Sequence, residues 1–526
     1  MERPIRTDVI LEDDEILAEM PEDGPLIPQD IEIEIEPELD EEGNTIVSFG
    51  DAPPEVPSDN FFENLAEEID QRELGRLAAE LLAMYSEDRE SRSDWERSYS
   101  EGLGLLGMST AQFQSSAYKE LLPSGGPVDT RVVGKVTPER QEQASRVKEF
   151  MNYQITEVMQ EYDPEIDQML FYLPLSGSAF KKIYYDETLG RAVSKFITSE
   201  DLVVPYETTD LLSANRITHM IRQNTNDVRK LQLSGFYRDI ELVPSQEPQT
   251  AITEKVDELE GVRATHYSSG EVMTILECHI NLDLPGFEDE GEDGEPTGIQ
   301  LPYIVTMEEG CSEVLSIRRN WEESDPLKNK KQYFVHYKFL PGLGFYGFGL
   351  IHMIGGLTKS VTSILRQLID AGTLANLPAG FKARGLRVRN DDEPLQPGEW
   401  RDVDAPGGAL RDSLLPLPYK EPSGTLLNLL GVLVDSGRRF AAITEMQTGD
   451  MTEAMPVGTT VALLEKGMQV MSAIHKRLHY SQKIEFQLLA ETFAEYLPQE
   501  YPFEIVGGER IVKVTDFSDQ IDVIPH

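Results

Sequence analysis

The chain has 526 residues, 40% of them hydrophobic, enough for more than one structural region. Its 94 acidic residues against 47 basic ones give a formal net charge of −47, which argues against a conventional nucleic-acid binder and against docking on anionic lipid. Two cysteines, Cys278 and Cys311, make no disulfide framework and point to a reducing compartment. The residues near Met1 do not read as a basic-then-apolar signal, and no run of about 18 apolar residues predicts a membrane span.

Residues 1–58 are acidic and interrupted by Pro25, Pro28, Pro37, Pro53, Pro54 and Pro57, so a disordered or extended arm is expected. Within it Ile31, Ile33 and Ile35 alternate with glutamates, a pattern able to add a strand to a neighbouring subunit. Residues 59–345 read as helices followed by a β-rich part. Helices are predicted over Asn60–Tyr85 and Arg89–Leu106, with Leu65, Ile69, Leu74, Leu77, Leu81 and Leu82 on one face. Gly125-Gly126-Pro127 breaks the run. Thr137 with Pro138 is a cap followed by proline at the first helical position, opening a helix to about Tyr162; Asp163-Pro164 starts the next. Ala179–Asp186 and Ala192–Ile197 form a hairpin around a turn at Glu187–Gly190, and Ser199–Pro205 holds another strand. Strands are expected at Arg216–Gln223, His266–His279, Tyr303–Thr306, Glu313–Arg319 and Tyr333–Phe339, and helices at Asn226–Ser234 and Thr253–Glu258. Phe287–Thr297 reads as a solvated loop.

A long helix is predicted from Phe348 to Asn376. Ile351, Ile354, Leu357, Val361, Ile364, Leu365 and Leu368 give it one apolar stripe, and Pro378 and Gly380 stop it. At 1.5 Å per residue it spans roughly 40 Å. Residues 377–422 form a β insert: Phe381–Arg389 alternates like a strand, and Trp400–Asp404 is a second one. A second helix occupies 423–446, and a short connector spans 447–456. A third helix runs over 457–497, through Val461, Leu464, Met468, Met471, Ile474, Leu478, Leu488, Leu489 and Phe493. Residues 498–526 end in two strands within Ile511–Ile524.

The segments Gln447–Glu465 (QTGDMTEAMPVGTTVALLE), Leu340–Gly349 (LPGLGFYGFG) and Gly372–Gly380 (GTLANLPAG), in this order around the long helices, resemble the portal proteins of tailed double-stranded DNA bacteriophages, podovirus-like in type. The likeness extends to about Glu120. It implies an α+β portal fold: an α/β wing, a long-helix stem, a small β clip and a long helix after a tunnel loop. It implies a ring, whose head-to-tail contacts must close, and the family resemblance sets the expected number of copies at about twelve. The tunnel loop would contain Thr448, Gly449, Asp450, Met451, Thr452 and Glu453. The clip, with Lys382, Arg384, Arg387, Arg389 and Trp400, would dock partners. Those partners would be the terminase large subunit and later neck or tail adaptor proteins, with major capsid and scaffolding proteins around the ring. Double-stranded DNA would pass through the channel during packaging and ejection. The ring would sit at one capsid vertex of the virion after assembly in the host cytoplasm. No membrane, cofactor, metal or catalysis is implied. Portals of this kind continue well beyond the equivalent of Ile511–His526, so a crown or barrel is expected to be absent here.

Gly342, Gly344 and Gly347 match G-x-G-x-x-G after a strand and before a helix. The helix is too long, the acidic Asp370 lies inside it, and no alternating βα series surrounds it. A nucleotide-binding enzyme is therefore the alternative reading, as is an acidic capsid or neck protein. Gly355–Ser360 lacks the glycine that precedes the lysine of a phosphate loop. His475 and His479 share a helical face without a metal motif, and Cys278-His279 has no zinc partners. In the ring that the resemblance implies, surplus acidic charge would repel phosphate from the bore within about 8 Å at physiological salt. Asp435, Glu445, Asp450, Glu453 and Glu465 lie in or beside the expected tunnel region.

Overall fold

The computed structural model describes residues 63–93, 95–96, 107–242, 251–260, 272–290, 295–376, 380–382, 387–388, 403–404, 414–416, 421–445, 457–505, 508–517 and 521–526. The described residues mix α and β. Helix α1 (Gln71–Ser91) is capped by Asp70, whose carboxylate accepts the Arg72 N–H at 2.8 Å. The expected break between Tyr85 and Arg89 does not occur. Tyr85 and Asp88 are both buried on the face already set by Leu74, Ala78 and Leu81, and Asp88 pairs with Arg216 at 2.5 Å. Tertiary packing thus carries the helix across its polar stretch. Then follow α2 (Gly107–Leu121), β1 (Val128–Val132) and α3 (Pro138–Tyr153). Thr137 Oγ1 accepts the Arg140 N–H at 3.3 Å, with Pro138 in the first turn, as the sequence predicts. The helix stops at Tyr153, short of the predicted Tyr162. Gln154–Val158 winds as a wider π turn that buries Gln154 and Ile155, before α4 (Tyr162–Ser176) begins.

Strands β2 (Ser178–Asp186) and β3 (Arg191–Ile197) make the predicted hairpin, its turn closed by Gly190 at φ +62°. Next come β4 (Leu202–Val203), β5 (Arg216–Asn224), α5 (Thr225–Leu233), α6 (Ala251–Glu260), β6 (Val272–Leu282), β7 (Leu301–Glu308), β8 (Glu313–Arg319) and β9 (Phe334–Lys338). Two antiparallel sheets result, ordered β3–β2–β9 and β4–β5–β6–β7–β8. The apolar face of α1 packs on the larger sheet, against Leu276, Val305 and Ile317 among others. The β8 edge of that sheet is covered. The Asn64 side chain donates to Leu315 O and accepts from Ile317 N–H, both at 3.0 Å, and the Arg238 N–H adds a bond to Leu315 O at 2.9 Å.

Helix α7 (Leu350–Asn376) runs uninterrupted for 27 residues. Short strands follow: β10 (Gly380–Lys382), β11 (Arg387–Val388), β12 (Val403–Asp404) and β13 (Leu414–Pro416). Of the alternating stretch Phe381–Arg389, the structure describes Phe381, Lys382, Arg387 and Val388. These divide between two ladders, β10 with β13 and β11 with β12. Helix α8 (Gly424–Glu445) and the 40-residue α9 (Val457–Tyr496) come next, at the predicted places. The chain closes with β14 (Glu500–Ile505), β15 (Gly508–Lys513) and β16 (Ile521–Pro525). Strand β14 was not predicted; it pairs with β15, while β16 pairs with the distant β1.

The main core forms around the second half of α9. Ile474, Leu478, Phe486, Leu489 and Phe493 are buried with Phe113, Phe150, Leu173 and Tyr337. Phe150 meets Phe493 and Phe503 edge-on, with ring centroids 5.2 and 5.4 Å apart. Among the described residues, no helix is long and apolar enough to cross a membrane.

Candidate functional site

The stretch from Leu350 to Tyr496 holds most of the residues expected to carry function. Helices α7 and α8 lie side by side and antiparallel. The end of α7 meets the approach to α8, where a Cβ on Gly372 would sit 3.9 Å from Pro422 Cγ, and the β10–β13 ladder ties the same end. Lys382 lies in β10 opposite Leu414, and Arg387 in β11 opposite Asp404. Arg384, Arg389 and Trp400 lie outside the described residues, as do Thr448, Gly449, Asp450, Met451, Thr452 and Glu453. Asp435 is exposed on α8.

Burial along α7 is graded. Leu350, Ile351 and Ile354 enter the core, whereas of the predicted stripe farther on only Ile364 is buried. Leu357, Val361 and Leu368 are half-buried, and Leu365 faces solvent. Ile369 is 58% exposed, and on α8 Leu427 and Val432 are 60% and 62% exposed. Two neighbouring helices thus carry large apolar side chains that no described residue covers.

The glycines before α7 serve a backbone crossing. Gly177, at φ +84°, follows α4; a Cβ there would lie 2.3 Å from Gly349 N and 2.5 Å from Gly347 O. A Cβ on Gly347 would lie 2.4 Å from Gly177 O, and one on Gly349 2.2 Å from Leu175 O. The amides of the turn are used within the chain: Gly347 N–H donates to Ser178 Oγ at 2.7 Å, Phe348 N–H to Leu340 O at 2.9 Å, and Gly349 N–H to His352 Nδ1 at 3.1 Å. A pyrophosphate would need such donors free.

Three buried polar knots fasten the surrounding elements. Lys181 and Glu485, both fully buried, meet at 2.9 Å. Glu485 also accepts from Ser194 Oγ at 2.6 Å and from the Tyr337 hydroxyl, and the Lys181 ammonium sits 4.0 Å from the Tyr162 ring centre. This pins α9 to all three strands of the smaller sheet. Between the sheets, Lys182 Nζ lies 2.6 and 2.7 Å from the two Glu277 oxygens, and His279 Nε2 lies 2.8 Å from Oε1. Burial opposes the Glu277 charge, but Lys182 and His279 outweigh it and hold the carboxyl well below the usual range. Burial pushes the neighbouring His219 down to about 3, so its ring is neutral. In the third knot, the buried Arg92 donates to Ser199 O at 2.7 Å, Leu202 O at 3.1 Å, Tyr346 Oη at 3.3 Å and Glu200 O. It ties the end of α1 to the β3–β4 loop and to the glycine turn. Burial, reinforced by Asp201, pushes the Glu200 carboxyl up to about 7.

Sequence reasoning missed these knots, because each joins residues far apart in the chain. Both cysteines are free thiols, and Cys278 is buried. His479 faces Glu120 at 3.9 Å, and His475 packs beside Phe113. Among the described residues, no group of three or more His, Cys, Asp or Glu is placed to hold a metal. No protein-family model matches the chain, and no curated protein matches it.

Proposed function

We propose that this chain is a structural subunit of a portal-type ring, a conduit for double-stranded DNA at one vertex of a phage capsid. The observation that carries the reading is the antiparallel α7–α8 pair with its short β ladders. It presents Leu365, Ile369, Leu427 and Val432, which no described residue covers, and is followed by a 40-residue helix rooted in the core. Such apolar faces are covered when copies meet head to tail around an axis. The β10–β13 end is the docking surface for terminase and later for neck or tail proteins. Surplus acidic charge in the bore keeps phosphates from binding, since every lysine or arginine contact would add counterion-release affinity.

The rival nucleotide-site reading draws no support from Gly347, whose amide already has a partner. Negative-stain imaging of the purified full-length chain tests the proposal. Rings with an axial hole are expected. Particles that remain single chains at micromolar concentration would count against it. Asp450→Lys with Glu453→Lys, assayed for DNA packaging and retention, tests the slippery bore; unchanged behaviour would remove that part.

A further inference from the structure

Among the described residues, helix α7 enters the main core at one end only. Leu350, Ile351 and Ile354 are held in the core, and the next two residues are Gly355 and Gly356. Neither glycine is required by packing. A Cβ on Gly356 would meet nothing within 4 Å, and one on Gly355 would make an ordinary contact of 3.8 Å with Ile351. Both therefore weaken the helix without a steric return. Three hydroxyls directly beyond them bond back to the carbonyl four residues earlier: Thr358 to Ile354 at 2.8 Å, Ser360 to Gly356 at 2.9 Å and Thr362 to Thr358 at 3.0 Å. Such bonds compete with the helical ladder and promote bending.

The partner helix repeats the arrangement at the same height. Gly372 faces Pro422, and the two chains run in opposite directions with equal rise. Fifteen residues back along α7 is Leu357, and fifteen residues on from Pro422, which lies just ahead of α8, is Gly437. A Cβ on Gly437 would again meet nothing within 4 Å, and Ser436 Oγ bonds back to Val432 O at 2.8 Å. Both helices thus carry, at one level to within about one helical turn, a glycine that packing does not require beside a hydroxyl that bonds back to its own helix.

We infer that this level is a bending joint, across which the α7–α8 pair with its β ladders pivots against the core. The joint is a property of the single chain and holds whatever particle the chain builds.

Two measurements on the full-length chain test it. In the first, hydrogen–deuterium exchange is read over 350–354 and 357–366. The second segment exchanges faster, and Gly355→Ala with Gly356→Ala slows it roughly thirtyfold while leaving the first segment unchanged. In the second, spin labels at Gln168→Cys on α4 and Gln367→Cys beyond the joint report the distance between core and rod. Cys311→Ser removes the accessible thiol, and the labelled chain is diluted with unlabelled chain. A broad distribution is expected, narrowed by the double alanine variant and also by Thr358→Val with Thr362→Val, which keeps the helix shape and removes two back-bonds. The joint is overturned if the parent distribution is already as narrow as that of either variant, or if exchange slows equally on both sides of the glycines.

Discussion

Removing one partner of the Lys181–Glu485 pair should cost more than any surface change in this chain. The two groups meet at 2.9 Å with no solvent exposure, so neither can recover hydration when the other is lost. Glu485→Gln keeps the shape, and its amide oxygen can still accept from Ser194 and Lys181, but it leaves the buried Lys181 ammonium without a counter-charge, beside the Tyr162 ring. Breaking a buried pair in this way costs ~3–5 kcal/mol. Lys181→Met leaves the carboxylate with two hydroxyl donors and should fall at the lower end of that range, about 3 kcal/mol. The double variant Lys181→Met/Glu485→Gln carries no buried charge, so its cost should fall below the sum of the singles by about 2 kcal/mol or more. Amide exchange over residues 474–493, at fixed protein concentration, reads the stability of this core; the whole chain need not unfold as one unit. Single costs below about 1 kcal/mol, or strict additivity in the cycle, would show that water reaches the pair and that the pin is not what holds α9 to the smaller sheet.

Glu200 sets a pH dependence of known sign. Its folded value of about 7 lies above the ordinary 4.5, so the protonated form is favoured on folding. The stability this contributes is present below about pH 4.5 and is lost as pH rises towards and through about 7. Glu200→Gln should therefore have the higher melting temperature at pH 8 and little advantage at pH 4; the reverse order would refute the assignment. Within the G-x-G-x-x-G turn, Gly347→Ala should cripple soluble yield because its Cβ would lie 2.4 Å from Gly177 O. Gly344→Ala should be tolerated because nothing lies within 4 Å. A turn serving nucleotide would instead lose ligand binding with both. Leu427→Glu with Val432→Glu should abolish assembly, read by light scattering, while changing the thermal stability of the separated subunit by no more than about 0.5 kcal/mol.

The long helices were legible because their apolar spacing persists over many turns, and the cap at Thr137-Pro138 and the turn at Glu187–Gly190 carry local signatures. Which apolar residues would stay uncovered was not legible. Leu365 has the spacing of a core residue, yet no described residue covers its side of the helix. Strand β1 escaped notice because five residues, Val-Asp-Thr-Arg-Val, show little alternation and owe their conformation to β16. Lys181 sits in a hairpin whose charges suggest a wet face; its partner lies 304 residues away, beyond any local pattern. The Asn64 side chain covers the β8 edge by the same kind of remote contact, across 251 residues.

The pairing of β1 with β16 has a consequence for synthesis. Val128–Val132 leave the ribosome about 390 residues before Ile521–Pro525, an interval of roughly 20–80 s at ordinary elongation rates. Phe113 and Phe150 emerge early as well, and they must wait for Phe486 and Phe493 before their greasy surface is hidden. Nascent chains of this protein should accordingly lean on cellular chaperones until Phe486, Phe493 and Ile521–Pro525 have emerged, and premature stops before residue 474 should yield aggregates rather than smaller folded pieces.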